Sequence, residues 1–168
     1  MCTFAHFLRN DDLLTACTPA VPVAAQAGHQ MANQLAIMVV EDDPDVQTVV
    51  EDCLSEGGFE AVIASSGESA IELLDAAEGK YRALVTDINL RSGKVDGWQV
   101  ARHAREIDPN FPIVYMSGKD ADEWASQGVP NSIMLAKPFA PAQIVTAVSN
   151  LLNAAPPAPP GGVKASDP

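Results

Sequence analysis

Leu84-Val85-Thr86-Asp87-Ile88-Asn89-Leu90 decides how the chain is read. A short apolar run stops on an aspartate, and polar residues follow. Runs this short and β-branched form buried strands. A carboxylate at the end of such a strand stands at the mouth of a sheet, partly solvated yet rigidly held. Asp87 is therefore the candidate for the residue that does the chemistry. One aspartate after one strand is commonly only a solvated strand end, so the reading depends on what the other strands end on.

Outward from that stretch the chain alternates. Leu35 to Val40, Glu60 to Ala64, Ala83 to Thr86, Ile113 to Met116 and Ile133 to Ala136 read as strands. Between them lie helical patterns. Asp43-Pro44 supplies an N-cap and a proline at the first helical position. Val46, Val49, Val50, Cys53 and Leu54 then recur at helical spacing until Gly57-Gly58. Ser65 and Glu68 have capping-box spacing before a helix carrying Ala70, Ile71 and Leu74. Asp96 can cap a helix whose inner face is Val100, Ala101, Ala104 and Ile107. A short helix is expected over Ala121 to Gln127. The last begins near Pro141 and buries Ile144, Val145, Val148, Leu151 and Leu152.

Five strands alternating with five helices predict an α/β fold, a doubly wound parallel sheet with helices on both faces. The 168 residues, 47% of them hydrophobic, suffice for one core of ordinary size. Residues 34–153 hold the whole pattern and are expected to form one domain. Residues 1–33 are expected to be a poorly ordered extension with at most a short helix around Phe4 to Leu14, and Met31 is a plausible translation start. Residues 154–168, rich in Pro, Gly and Ala, read as a disordered tail.

The formal net charge of -12 repels phosphate backbones and anionic membranes, so direct nucleic-acid binding is not expected. No stretch approaches the ~20 apolar residues of a membrane span. Cys2, Cys17 and Cys53 are widely spaced and odd in number, which fits reduced thiols in the cytoplasm. Cys53 lies on an apolar helix face and reads as a small core residue. His6, His29 and His103 are scattered and read as surface residues.

The first strand ends on Glu41-Asp42-Asp43, the third on Asp87, the fourth on Ser117 and the fifth on Lys137. In an open parallel sheet, ligands bind beyond the carboxyl ends of the strands, where strand order reverses. With order 2-1-3-4-5, the acidic ends of strands one and three share one crevice. Crowded carboxylates keep a proton or hold a cation, and a hard ion such as Mg²⁺ is the natural neutraliser. Lys137 adds a compact positive charge and Ser117 a hydroxyl donor. A nucleophilic carboxylate, a divalent cation, an ammonium and a hydroxyl are together equipment for receiving a phosphoryl group. Each feature alone has a plainer reading as a helix cap, a turn or a loop. Their arrival at four strand ends, in this order, is what chance does not readily supply.

Val39-Val40-Glu41-Asp42-Asp43-Pro44, Val85-Thr86-Asp87, Met116-Ser117-Gly118 and Lys137-Pro138-Phe139 resemble the response-regulator receiver domain of two-component signalling. The resemblance spans about residues 35 to 152. It implies the flavodoxin-like (βα)5 fold and a stand-alone phosphorelay receiver. Asp87 would be the phosphoacceptor, charged by a sensor histidine kinase or a histidine phosphotransfer protein. Asp42 would bind Mg²⁺ directly, Glu41 would act through water, and Asn89 would offer its backbone carbonyl. Ser117 and Lys137 would contact the phosphoryl group, and the Lys137-Pro138 bond would be cis. No output domain follows in this chain, so the signal would leave through a protein partner or onward phosphotransfer, with Trp124 either on that contact surface or packed on the core.

Three departures from the family pattern stand out. The switch position, three residues before the lysine, is Met134 in place of an aromatic ring. The loop from Asp87 to Asp96-Gly97 is about two residues longer than usual, by that resemblance, and carries Arg91 and Lys94 for partner docking or plain solvation. Lys119 lies beside the path of an attacking water. Two rivals follow: a receiver-like module that is never phosphorylated, and a Mg²⁺-dependent phosphohydrolase with an aspartate nucleophile. The latter usually needs an aspartate where this chain has Asn89.

Overall fold

The computed structural model describes residues 34–77 and 79–154. Strands β1 (Leu35–Val40), β2 (Phe59–Ala64), β3 (Tyr81–Asp87), β4 (Ile113–Ser117) and β5 (Ile133–Ala136) alternate with helices α1 (Pro44–Glu56), α2 (Gly67–Ala76), α3 (Gly97–Ile107), α4 (Trp124–Gln127) and α5 (Pro141–Ala154). The strands are all parallel and run in the order β2-β1-β3-β4-β5. The expected fold is the observed one.

Side-chain alternation along the strands divides the interior in two. Ile37 and Val39 of β1, Ala83 and Val85 of β3, and Val114 and Met116 of β4 pack with Val50, Cys53 and Leu54 of α1 and Ile144, Ala147 and Val148 of α5. Met38, Val40, Leu84, Ile113 and Tyr115 point the other way, toward Ala70 and Leu74 of α2 and Trp98, Val100, Ala101 and Ala104 of α3. The central strands are buried on both faces, so they read as continuous apolar runs. Trp98 and Tyr115 meet at 4.5 Å between ring centroids, tilted by 53°.

Local chemistry fixes the helix ends. Asp43 accepts the N–H of Asp45, with Pro44 opening α1. Gly58, at φ +83°, sits just past the end of α1, a left-handed position that suits glycine. Asp96 and Gln99 form the reciprocal capping box of α3. The box expected from Ser65 and Glu68 is displaced by one residue. Ser66 caps α2, and its partner is Ser69.

Other expectations are corrected in detail. Val49 and Ile107, read as inner-face residues, are exposed. The helix expected over Ala121 to Gln127 is a 3-10 turn, Ala121–Glu123, followed by the four-residue α4. His103, read as a surface residue, lies with Nε2 2.7 Å from Asp75 Oδ1 and links α3 to α2 across the surface. Trp124 does not pack in the core and remains exposed. Its indole N–H donates to Ser132 Oγ at 2.9 Å and its ring covers Gly128. Cys53 is buried as expected. Residues 1–33 and 155–168, with Cys2, Cys17, His6, His29 and Met31, lie outside the described residues. No helix among the described residues is long and apolar enough to cross a membrane.

Candidate functional site

β1 and β3 are neighbours at the point where strand order reverses, and their carboxyl ends open side by side. Glu41 follows directly from β1 and is almost wholly buried. Its N–H donates to Ala64 O at 3.1 Å, and Gln47 of α1 donates to its carbonyl at 2.6 Å. These bonds hold the Glu41 backbone at the end of β1, and its side chain lies in the crevice beside Asp87 and Lys137. Glu41, Asp42 and Asp87 each present a carboxylate oxygen, all within 4.8 Å of one another.

Lys137 reaches this cluster from the end of β5. Its N–H donates to Ser117 O at 2.7 Å, which extends the β4–β5 pairing by one residue. The ammonium lies 2.6 Å from Glu41 Oε2 and 2.8 Å from Asp87 Oδ2. The Lys137–Pro138 peptide is cis, as the resemblance implies. Burial pushes the Glu41 carboxyl above its ordinary pKa, more than the Lys137 hydrogen bond pulls it down, and the charge of Asp87 adds to the rise. Burial alone would lower the Lys137 pKa. The bonds to Asp87 and Glu41 outweigh it, and the ammonium is held above its ordinary value.

The loop after Asp87 folds back over the acidic cluster. The N–H of Arg91 donates to Asp42 Oδ2 at 3.1 Å, and its guanidinium lies 3.4 Å from the same oxygen and 3.7 Å from Asp43. Neither proposed use of Arg91, docking or plain solvation, included this pairing. Lys94 donates its N–H to Glu68 Oε1 at 2.7 Å, and Ser92 Oγ donates to Ser65 O at 2.7 Å. Both bonds pin the loop to the start of α2. The N–H of Asn89 donates to Asp87 Oδ1 at 3.3 Å.

Ser117, the last residue of β4, is fully buried. Its hydroxyl accepts the N–H groups of Lys119 at 3.2 Å and Asp120 at 2.9 Å, and donates to Asp120 Oδ2 at 3.3 Å. Asn89 Nδ2 also donates to Asp120 Oδ2. A cavity of about 360 Å³ opens between the two loops, lined by Asp87, Asn89, Arg91, Gly118, Lys119 and Asp120. Met134 pairs in register with Tyr115 and is half-buried against the Trp98–Tyr115 side of the core. The aromatic ring missing at position 134 thus has a neighbour one strand away, where Tyr115 Oη accepts the Val129 N–H at 3.3 Å.

Of the expected site residues, Glu41, Asp42, Asp87 and Lys137 converge directly. Asn89 and Ser117 join them through the flanking loops. Asp120 was missed, although Ser117-x-x-Asp120 has the spacing of a hydroxyl turn with an acidic partner, the same signal read at Ser65 and Glu68. Gln47 carries no comparable signal, since one polar residue on a helix face says nothing of a distant carbonyl. The donor set is all oxygen, carried by three clustered carboxylates, and suits a hard divalent cation such as Mg²⁺.

Residues 37–149 match the family model described as the response regulator receiver domain. The response regulator receiver protein CpdR of Brucella abortus (strain 2308) is 31% identical over 121 residues, covering 71% of this chain and 98% of that protein. The alkaline phosphatase synthesis transcriptional regulatory protein PhoP of Bacillus subtilis (strain 168) is 29% identical, and the match spans 70% of this chain but only 48% of that regulator. Among solved structures, a response regulator receiver protein from Sinorhizobium medicae WSM419 superposes with a TM-score of 0.70 at 50% identity, covering 73% of this chain and 97% of that one. The receiver domain of the sensor histidine kinase PA1611 from Pseudomonas aeruginosa PAO1, crystallised with a magnesium ion in its active-site cleft, shares the fold with a TM-score of 0.61 at 24% identity, covering 72% of this chain and 99% of that domain.

Proposed function

This chain belongs to the response regulator receiver domain family of two-component signalling, and from that premise we propose that Asp87 is its phosphoacceptor. The observation that carries the reading is the position of the Lys137 ammonium, between the carboxylates of Asp87 and Glu41. An Asp87 oxygen attacks the phosphorus of a phosphohistidine on a sensor kinase or phosphotransfer protein. The phosphorus–nitrogen bond breaks, and the imidazole leaves with the electron pair. Lys137 holds the Asp87 carboxylate in place and offers its charge to the arriving phosphoryl oxygens.

Glu41, Asp42, Asp87 and the backbone carbonyl of Asn89 would hold Mg²⁺. When bound, the ion supplies positive charge against the negative charge gathering on the phosphoryl group. Ser117 responds to the phosphoryl group, and the face built by α4, β5 and α5 shifts between two populations. Met134, paired in register with Tyr115, occupies the switch position without a ring to swing. Residues 34–153 are the receiver proper. The chain works as a signalling domain in the cytoplasm, with self-catalysed phosphotransfer and dephosphorylation at most, and its message passes to a protein partner.

The test is incubation with acetyl phosphate and Mg²⁺ followed by intact mass. A stable gain of one phosphoryl group, lost in Asp87→Asn, is the expected result. Turnover of many small phosphoesters would instead identify a phosphohydrolase, and no reaction at all an interaction module that is never phosphorylated.

A further inference from the structure

The hydroxyl of Ser117 has one proton and two lone pairs. All three are committed. The lone pairs accept the N–H groups of Lys119 and Asp120, and the proton goes to Asp120 Oδ2. The same Asp120 oxygen accepts from the Asn89 side chain, which stands on the loop that follows Asp87. One carboxylate oxygen therefore joins the loop after β3 to the loop after β4. Both loops line the cavity beside Asp87.

We propose that Asp120 is a positioning residue that holds Ser117 and Asn89 in the unphosphorylated arrangement, so that Ser117 answers a phosphoryl group on Asp87 only by surrendering its bond to Asp120. The inference rests on the phosphoacceptor reading given above. Its force is stoichiometric. A single hydroxyl proton serves the Asp120 carboxylate or a phosphoryl oxygen, and not both. Each carries negative charge, so the two compete on similar terms. Asn89 makes the competition collective, because a displaced Asp120 must also find a new place relative to the Asp87 loop. The clasp biases the resting state, and its strength is subtracted from whatever binding the phosphoryl group gains from Ser117.

The experiment is titration calorimetry of the full chain with beryllofluoride, a phosphoryl analogue, in the presence of Mg²⁺. Asp120→Ala is expected to bind the analogue about five-fold more tightly than wild type, the effect of one ordinary hydrogen bond. Asp120→Asn keeps an oxygen acceptor without the charge and falls between the two. If Asp120→Ala fails to fold by far-ultraviolet circular dichroism, Asp120→Asn alone decides the matter. In a Ser117→Ala background the gain largely disappears, which a merely structural role for Asp120 does not predict. A wild-type chain that binds and a folded Asp120 variant that binds no tighter overturn the clasp alone, as does a gain that persists undiminished without the Ser117 hydroxyl. A wild-type chain that neither binds the analogue nor gains phosphoryl mass overturns the phosphoacceptor reading and the clasp with it.

Discussion

The ammonium of Lys137 stands 2.6 Å from Glu41 Oε2, and Glu41 is 1% exposed. A buried carboxylate of this kind depends on its partner, because removing one member of the pair leaves an uncompensated charge. Lys137→Met should cost about 2 kcal/mol at neutral pH, a value below that of fully buried pairs because the lysine keeps some solvent.

The sign of the pH dependence follows from Glu41, whose folded pKa already lies above its ordinary value of 4.5 through burial. Loss of the ammonium raises it further, so the folded variant holds its proton to higher pH than the unfolded chain does. The deficit is therefore greatest around neutral pH, shrinks as pH falls toward 4.5, and shrinks again at strongly alkaline pH, where Lys137 of the wild type gives up its proton. Urea denaturation of both proteins across that range measures it, and a deficit that is flat with pH would dismiss Glu41 as the dependent group.

Gly97 opens α3 directly beneath the end of β3, the strand that carries Asp87. A Cβ built there would lie 2.0 Å from the backbone oxygen of Asp87. Backbone cannot yield as a flexible side chain does, so either α3 or the end of β3 must move. Gly97→Ala is expected to destabilise the fold by about 1–3 kcal/mol, the usual range for overpacking. On the proposed phosphoacceptor reading it should also reduce phosphoryl uptake out of proportion to that loss, because the displaced atoms belong to the Asp87 peptide. Thermal unfolding and intact mass on one preparation separate the two effects, and an alanine variant with wild-type values for both would contradict the contact.

Glu68 is one anchor of the loop after Asp87, beside Ser65 and Asp42. Its carboxylate accepts the Lys94 N–H, and this bond holds its pKa below the ordinary 4.5. A lowered carboxylate pKa means a contribution present above the unfolded pKa and lost as pH falls through the folded one. Protection of the Lys94 amide against hydrogen exchange should thus be steady at neutral pH and decline in that acidic window. In Glu68→Gln, protection should be weaker at neutral pH and nearly independent of acidification. Equal profiles in the two proteins would show that the loop is held elsewhere.

Cys53 sits among Val50, Leu54 and the α5 side chains, and burial raises its thiol pKa. Alkylation requires the thiolate and access to it. Iodoacetamide should label Cys53 in the native protein far more slowly than in denaturant, as read by mass spectrometry of the peptide that carries it. Comparable labelling in both states would mean that α1 opens readily from the sheet.

Much of this was legible beforehand. Leu35–Val40 and Ile133–Ala136 fall where the apolar runs place them, and α5 starts at the proline that signals it. Three strands run longer than their apolar cores because pairing continues through Phe59, Tyr81, Asp87 and Ser117, residues chosen for position and not for hydrophobicity alone. The four strand-end side chains were visible because each type is chemically unusual where it stands. Ser65 and Glu68 show the limit. Two pairs, one residue apart, both satisfy the i, i+3 rule. Glu68 is drawn off by a backbone N–H 26 residues away, which no local pattern can record. Asp120 was overlooked despite its local spacing from Ser117, and the oxygen it shares with Asn89, on another loop, is what no local pattern records.

Helix α4 is four residues long, preceded by one 3-10 turn, and it contains no buried residue. A segment so short barely closes its own first hydrogen bonds and brings no apolar stripe to keep it seated. It begins four residues beyond Asp120, at the exit of the loop that Ser117 governs. Among the described α-helices α4 is the shortest, and on the proposed function the loop that leads into it starts at Ser117, so a tug too small to bend the sheet would redraw the outline offered to a partner.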